Sequence, residues 1–114
     1  MTDPRELLEG AYREFNARNI DAVLARMHPD VVWPNGMEGG FVYGTEAVRA
    51  YWTRQWAMIE PKVDPVSMAE DETGRWIVEV HQVVHDHAGN LLLDTMVHHA
   101  YRVENGRIAR MDIE

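Results

Sequence analysis

Histidines are the side chains of this sequence best suited to chemistry near neutral pH. Imidazole titrates close to neutrality, so one histidine can act as a general acid or base, and several together can bind a metal. His81, His85 and His87 alternate along the chain, which places them on one face of a strand. No carboxylate–histidine spacing completes a recognised metal site, so we predict no metal. The histidines considered are His81, His85, His87, His98 and His99.

The segment around Gly89-Asn90 sets His99 apart from the other histidines. Glycine at the first central position is typical of a two-residue type II′ hairpin turn. With this turn, Val80 faces His99 and Gln82 faces Val97, and one face of the hairpin is almost wholly apolar. Because an apolar face must pack against the helices, His99 is predicted to be the ionisable group nearest the middle of the interior.

Three helices are predicted to close over this face. Asp3, Pro4 and Glu6 form an N-cap, a proline at the first helical position and a capping-box glutamate. Pro29 and Pro61 end the second and third helices, because a helix ends at or before the residue preceding a proline. The predicted helices carry apolar stripes from Leu7 to Phe15, from Ile20 to Met27, and from Val48 to Ile59 after a cap at Thr45.

Strands make up most of the second half of the chain. Alternation and β-branched residues predict them near 63–69, 75–87, 92–104 and 107–113, and a shorter strand at 31–33 precedes a loop at 35–44. Helices first and strands later indicate an α+β fold. No repeat, linker or low-complexity stretch interrupts residues 1–114, so we predict a single domain.

Composition excludes several partners. The 114-residue chain carries a net charge of −8, which disfavours nucleic acid because affinity for it depends on phosphate neutralisation. Cysteine is absent, so thiol nucleophiles, thiolate zinc sites and disulfides are excluded, and a cytoplasmic location is expected. No segment approaches transmembrane length, and the acidic N-terminus lacks the basic patch of a signal peptide. We expect no membrane partner.

Five short segments spread over nearly the whole chain form a recognisable set: Tyr12–Asn16, Ile20–Val23, His28–Trp33, Gly44–Val48 and Asn105–Ile108. Together they resemble the SnoaL-like branch of the nuclear transport factor 2-like superfamily. This resemblance implies three N-terminal helices packed on a strongly curved antiparallel sheet, which forms a cone with an internal pocket. The superfamily includes ketosteroid isomerase, polyketide cyclases, dehydratases and members that only bind ligands.

The resemblance also implies roles for individual residues. His99 corresponds to the protonated aspartate of ketosteroid isomerase, Asn35 to its catalytic carboxylate and Tyr12 to its oxyanion tyrosine. An amide cannot take a proton from carbon, so the steroid-isomerase mechanism does not carry over intact. Polyketide cyclases use an aspartate on the last strand, but the alternation of Met111 and Ile113 turns Asp112 away from the pocket.

The chemistry that these residues suggest is proton transfer beside a carbonyl group. His99 would act as general acid or base, and Tyr12 and Asn35 would bind an oxygen, without metal or organic cofactor. The alternative is that His99 only bonds a buried neighbour such as Tyr12 or Gln82. Residues that could shape a pocket for a small apolar molecule, or serve only in core packing, are Trp33, Trp52, Trp56, Val80, Gln82, Val97, Tyr101 and Met111.

Two functional hypotheses remain open at this point. The first is a cofactor-independent isomerase, cyclase or dehydratase, and the second is a non-catalytic ligand-binding or dimerisation module. The half-polar face of the hairpin, with His81 predicted opposite His98 and His85 opposite Asp94, is expected to pack against a second subunit as in the family. The predicted partners are therefore a small apolar organic molecule and a second copy of the chain.

Overall fold

The computed structural model describes residues 3–36 and 38–114, and Met37 of the predicted loop lies outside them. Three helices pack on one six-stranded sheet, and four of its strands follow the last helix, so the α+β prediction is confirmed. The elements are α1 (Pro4–Asn16), α2 (Ile20–Leu24), β1 (Met27–Pro34), β2 (Phe41–Tyr43), α3 (Thr45–Met58), β3 (Glu60–Glu70), β4 (Trp76–His85), β5 (Leu91–Glu104) and β6 (Arg107–Ile113).

The sheet has the strand order β2-β1-β6-β5-β4-β3 and is mixed rather than wholly antiparallel. β1 runs parallel to β6, with Met27 opposite Ile108 and Val32 opposite Arg110. Most of the chain lies between these two strands, so no tight turn forces them to run in opposite directions. The sheet therefore departs from the expected antiparallel arrangement at this pair of strands. The sheet is also not closed, because β2 and β3 form its two edges.

The first helix begins where the sequence predicts it. The Asp3 carboxylate accepts a hydrogen bond from the Arg5 backbone N–H at 2.8 Å, which satisfies a donor of the first turn. Its apolar stripe is buried, including Leu8 and Tyr12. α1 therefore places the Tyr12 side chain on the side that faces the sheet.

The second and third helices have different boundaries from those predicted. α2 ends at Leu24, because Met27 is buried and pairs with Ile108 as the first residue of β1. The cap of α3 is Gly44, not Thr45, and Gly44 has a φ of 87°, which favours glycine. β2 forms within the predicted loop by pairing with β1. In each case tertiary packing outweighs the local sequence signal.

The connection between β4 and β5 is a five-residue loop, Asp86–Asn90, not a two-residue turn. The Asp86 carboxylate accepts hydrogen bonds from the backbone N–H groups of Ala88 and Asn90, each at 2.9 Å. Aspartate commonly closes loops in this way by bonding backbone donors a few residues ahead. The predicted type II′ turn is therefore wrong.

The longer loop shifts the pairing of β4 with β5, yet it leaves the two faces unchanged. Val80 lies opposite Val97 instead of His99, and Val78 lies opposite His99. The shift is two residues, from 99 to 97, and side chains alternate between faces with a period of two. His99 consequently keeps its predicted place on the apolar face.

The core lies between the three helices and this apolar face. Its fully enclosed side chains come from every layer of the fold, which is what a single hydrophobic core requires. No helix among the described residues is long and apolar enough to cross a membrane. The most deeply buried side chains include Leu8, Val31, Val48, Val78, Val80 and Ile108.

Candidate active site

A cavity of about 330 Å³ lies between the helices and the sheet. Tyr12 reaches it from α1, Trp52 from α3, Gln82 from β4, His99 from β5 and Met111 from β6. No aspartate, glutamate, lysine or arginine is among the described residues that line it. The cavity is therefore apolar with a few uncharged polar groups, the usual character of a site for a small organic ligand.

His99 is the buried polar residue on this wall, with 6% of its surface exposed. Its Nδ1 atom lies 2.8 Å from the Tyr12 hydroxyl oxygen, and the Tyr101 hydroxyl donates to that same oxygen at 2.7 Å. Tyr101 follows His99 by two positions in β5, so both side chains point to the same face. The three residues form one buried hydrogen-bonded chain.

Burial keeps all three groups uncharged near neutral pH. It lowers the pKa of His99 from 6.5 to about 4, with a smaller contribution from the neighbouring His98. Burial also raises the pKa of Tyr12, and the neighbouring Tyr101 hydroxyl raises it further by a smaller amount. Burial raises the pKa of Tyr101 as well. The site therefore holds a neutral imidazole next to two neutral phenols.

One nitrogen of the imidazole remains available. The Nε2 atom of His99 has no hydrogen-bond partner among the described residues, whereas Nδ1 is bonded to Tyr12. A ligand in the cavity can therefore meet a histidine nitrogen that no protein group occupies. This is the geometry expected of a general acid or base, for which access to the substrate comes before pKa.

Comparison with known families decides the identity of the fold. The model of the SnoaL-like domain matches residues 8–111, which include most of α1, most of the cavity-lining residues and all of the sheet except its last residues. This chain belongs to the SnoaL-like domain family. The resemblance inferred from the five sequence segments is confirmed.

Solved structures share the fold over nearly the whole SnoaL-like domain. An NTF2-like protein of unknown function from Burkholderia pseudomallei K96243 is 27% identical, with a TM-score of 0.85 over 100% of this chain and 91% of that chain. TerC, crystallised with polyporic acid, is 24% identical, with a TM-score of 0.83 over 96% of this chain and 88% of that chain. A candidate polyketide cyclase from Xanthomonas campestris pv. campestris is 20% identical, with a TM-score of 0.82 over 96% and 87%. No curated protein sequence matches the chain.

Most of the residues predicted for the pocket lie on the cavity wall of the SnoaL-like domain. Trp33 and Trp52 meet edge to face, with ring centroids 5.5 Å apart, and give the cavity an aromatic wall. The Gln82 side chain has no hydrogen-bond partner among the described residues. The predicted residues that line the cavity are Tyr12, Trp33, Trp52, Gln82, His99, Tyr101 and Met111.

Three of the predicted ligand-binding residues pack in the core instead of lining the cavity. Val80 is completely enclosed, and Val97 packs against the buried cluster. Trp56 stacks on Trp52 at 5.8 Å between ring centroids, and the Arg18 guanidinium lies 5.2 Å from its ring centroid. These side chains share a face or stripe with cavity residues, so alternation alone could not separate them.

Asn35 does not line the cavity either. Its side-chain N–H donates to the Glu38 carboxylate at 3.2 Å, and its oxygen accepts from the Glu38 backbone N–H at 2.9 Å. These local bonds hold the Asn35 amide within the loop that precedes β2. Asn35 therefore does not join His99 and Tyr12 in this structure.

Sequence reasoning missed a second polar group of the cavity, on α3. Gln55 lies one turn after Tyr51, and its side-chain N–H donates to the Tyr51 hydroxyl at 3.2 Å. The Gly36 backbone N–H donates to the same hydroxyl at 3.1 Å. Gln55 follows Tyr51 by four positions, which places both side chains on the same face of α3, and this spacing could have identified Gln55 from the sequence. The exposed rim of Leu92 and Leu93 was missed as well.

His81, His98 and Asp112 make their polar contacts outside the cavity. His81 Nε2 lies 2.7 Å from the Asp94 carboxylate, and His98 Nε2 lies 3.6 Å from that of Glu79. The predicted pairings of His81 with His98 and of His85 with Asp94 are wrong. Because of the register shift, His98 lies opposite Glu79 and Asp94 lies opposite Val83. Asp112 accepts two hydrogen bonds from Arg110. No group of three or more potential ligands among the described residues could hold a metal ion.

Proposed function

We propose that this SnoaL-like domain binds an uncharged organic molecule and catalyses proton transfer beside its carbonyl group. Isomerisation, cyclisation and dehydration all begin with such a step. His99 is the general acid or base of this proposal, and no metal or organic cofactor takes part. The observation that carries the proposal is the unpartnered Nε2 atom of His99 on the wall of an apolar cavity.

The cavity supports the ligand class. A charged ligand would leave water for a space without a charged partner among the described lining residues, which costs several kcal/mol. An uncharged ligand would bury apolar surface against Trp33 and Trp52, and it could bond Gln82 and His99. Crystals of TerC with polyporic acid and the fold shared with a candidate polyketide cyclase agree with a small organic ligand.

Tyr12 has a positioning role in this proposal. Its hydroxyl occupies Nδ1 of His99, so the imidazole is held with Nε2 as the free nitrogen. Orientation of a catalytic histidine through its other nitrogen is a general device, since it sets both the ring angle and the tautomer. Asn35 has no role here, because its amide bonds Glu38.

Deuterium exchange provides the test of the proposed chemistry. An enolisable uncharged ketone, 2-tetralone, should exchange its α-hydrogens in D2O faster with the wild-type protein than in buffer, as followed by ¹H NMR. His99→Gln should lower the protein-dependent rate about 10²-fold, since a positioned acid or base contributes at least that much. His81→Gln is the matched control and should keep the wild-type rate, because His81 pairs with Asp94 away from the cavity.

The second hypothesis is a ligand-binding module without catalysis. The observation in its favour is that no carboxylate is among the described lining residues. Quenching of tryptophan fluorescence by 2-tetralone reports binding, because Trp33 and Trp52 line the cavity. Quenching together with equal exchange rates for wild type and His99→Gln would establish binding and contradict catalysis.

A second copy of the chain is proposed to cover the outer face of β4 and β5. Met96 is 47% exposed there, beside the His81–Asp94 and His98–Glu79 pairs. Protonation of these histidines in an interface would change its charge balance, so association should differ between about pH 5.5 and about pH 7.5. Sedimentation velocity measures this difference in association, and identical monomeric behaviour at both pH values would contradict the dimer.

A cytoplasmic location is likewise a proposal, based on the cysteine-free sequence.

A further inference from the structure

The hydrogen-bonded chain His99–Tyr12–Tyr101 has both of its ends on the cavity wall. Nδ1 of His99 lies 2.8 Å from the Tyr12 oxygen, and the Tyr12 and Tyr101 oxygens are 2.7 Å apart. All three residues line the cavity. A ligand can therefore meet His99 at one end of the chain and Tyr101 at the other.

Counting donors assigns the protons of the chain. The Tyr101 hydroxyl donates to the Tyr12 oxygen, and no other acceptor for it occurs among the described residues. Tyr12 has a single proton, which is then directed at Nδ1 of His99. A neutral imidazole whose Nδ1 accepts must carry its proton on Nε2. The resting site therefore presents the Nε2–H donor and the Tyr101 oxygen to the cavity.

We infer that this chain is a reversible proton relay, in which His99 and Tyr101 act together on one neutral keto–enol substrate. The inference rests on the proposed function and adds Tyr101 as a second catalytic residue, with Tyr12 as the link. The chemical class of substrate is an uncharged compound that interconverts a ketone with its enol. The relay returns one proton for each proton that it takes.

The proton balance of ketonisation is closed within the chain. Nε2–H gives its proton to the enol carbon, whose C=C electron pair forms the new C–H bond. The enol O–H gives its proton to the Tyr101 oxygen, and its O–H electron pair forms the carbonyl. Tyr101 passes its own proton to Tyr12, and Tyr12 passes its proton to Nδ1. The product is a ketone, and His99 is left as the other neutral tautomer. Enolisation is the same sequence in reverse and starts from that other tautomer. The Tyr101 hydroxyl then donates to the ketone oxygen, Tyr12 donates to Tyr101, Nδ1–H donates to Tyr12, and the unprotonated Nε2 takes the α-proton.

The uncharged surroundings of the chain explain why a concerted relay suits it. Transfer by His99 alone would leave an imidazolium or an enolate in a cavity without a charged partner among the described residues. The low pKa of His99 and the raised pKa values of Tyr12 and Tyr101 have the same origin, which is burial. The relay avoids both ions, since every group is neutral before and after the transfer.

The resting tautomer can be measured without any ligand. In protein labelled with ¹⁵N-histidine, long-range ¹H–¹⁵N NMR should show His99 as the Nε2–H tautomer at neutral pH. Tyr12→Phe should abolish this preference, because Nδ1 loses its donor, while Tyr101→Phe should retain it, because Tyr12 still donates to Nδ1. The same tautomer in the wild type and in Tyr12→Phe would show that Tyr12 exchanges no proton with Nδ1, which would overturn the relay and leave the simpler role of His99 standing.

Exchange of 2-tetralone in D2O tests the catalytic part. Tyr101→Phe should lower the maximal exchange rate at least about tenfold, in keeping with the loss of one acid or base, and leave the half-saturating ketone concentration nearly unchanged. Tyr43→Phe is the matched control, because Tyr43 is 69% exposed on β2. A wild-type rate for Tyr101→Phe, with a loss only for His99→Gln, would overturn the relay alone. No exchange with the wild-type protein would overturn both proposals.

Discussion

The free energy of unfolding is expected to fall by about 3 kcal/mol as the pH is lowered from about 6.5 to about 4, because of His99 alone. Burial lowers the pKa of folded His99 from 6.5 to about 4, so the unfolded chain binds a proton in this range that the folded protein does not. Acid therefore favours the unfolded state. Each tenfold difference in proton affinity is worth about 1.4 kcal/mol, which sets the magnitude.

Urea unfolding at a series of pH values measures this effect, and paired variants isolate it. His99→Gln should show a dependence on pH that is flatter by about 3 kcal/mol over the same range, since the titrating group is gone. His87→Gln should keep the wild-type dependence, because His87 lies half exposed in the β4–β5 loop. Parallel curves for wild type and His99→Gln would show that folded His99 titrates normally, and would contradict its burial as a neutral imidazole.

Trp52→Ala is expected to lower the free energy of unfolding by about 3–5 kcal/mol, the usual cost of removing a large aromatic side chain from a core. Trp52 is 2% exposed, and its ring centroid lies 5.2 Å from that of Phe15 and 5.5 Å from that of Trp33. It also forms part of the cavity wall, so the truncation should enlarge the cavity and weaken binding of 2-tetralone.

Two variants make this prediction specific. Trp52→Phe keeps an aromatic ring in the wall and should lose less stability than Trp52→Ala. Trp76→Ala should also lose less, because Trp76 is only partly buried, with the Arg5 guanidinium 5.6 Å from its ring centroid. Urea unfolding at constant pH gives all three values. A loss below about 1 kcal/mol for Trp52→Ala would contradict the close aromatic packing of the cavity wall.

The hairpin shows how a wrong local prediction can leave a correct functional one. The type II′ turn was inferred from Gly89, but the Asp86 carboxylate bonds backbone donors across a longer loop. From Trp76 to Val84 the resulting register shift of two residues is even, so the side chains paired there, including His99, keep their faces. An odd shift would have turned His99 to the outer surface of the sheet.

Asn35 shows the opposite case. The resemblance to ketosteroid isomerase places it at a catalytic position, whereas the structure bonds its amide to Glu38. Side chains in loops choose among local donors and acceptors that no periodic pattern encodes. The position of such a residue in the chain therefore does not determine the direction of its side chain.

The cavity wall depended on packing that the sequence does not contain. Val80 and Gln82 lie on the same face of β4, as the alternation predicts, yet Val80 is enclosed in the core and Gln82 lines the cavity. Trp52 and Trp56 share one stripe of α3, and of the two Trp52 lines the cavity. Which residues of one face line a void is decided by the helices that cover it, because packing leaves space only where opposing side chains do not fill it.

The sequence by itself determined the family, the order of the helices and of every strand except β2, and the presence of His99 on the apolar face. Those properties depend on local periodicity and on motifs spread along the chain. The tertiary structure alone decided that Tyr12, from α1, lies 2.8 Å from His99 and next to Tyr101, and that β1 runs parallel to β6. Contacts between distant segments follow from how the elements pack, and no local pattern specifies a hydrogen bond between residues 87 positions apart.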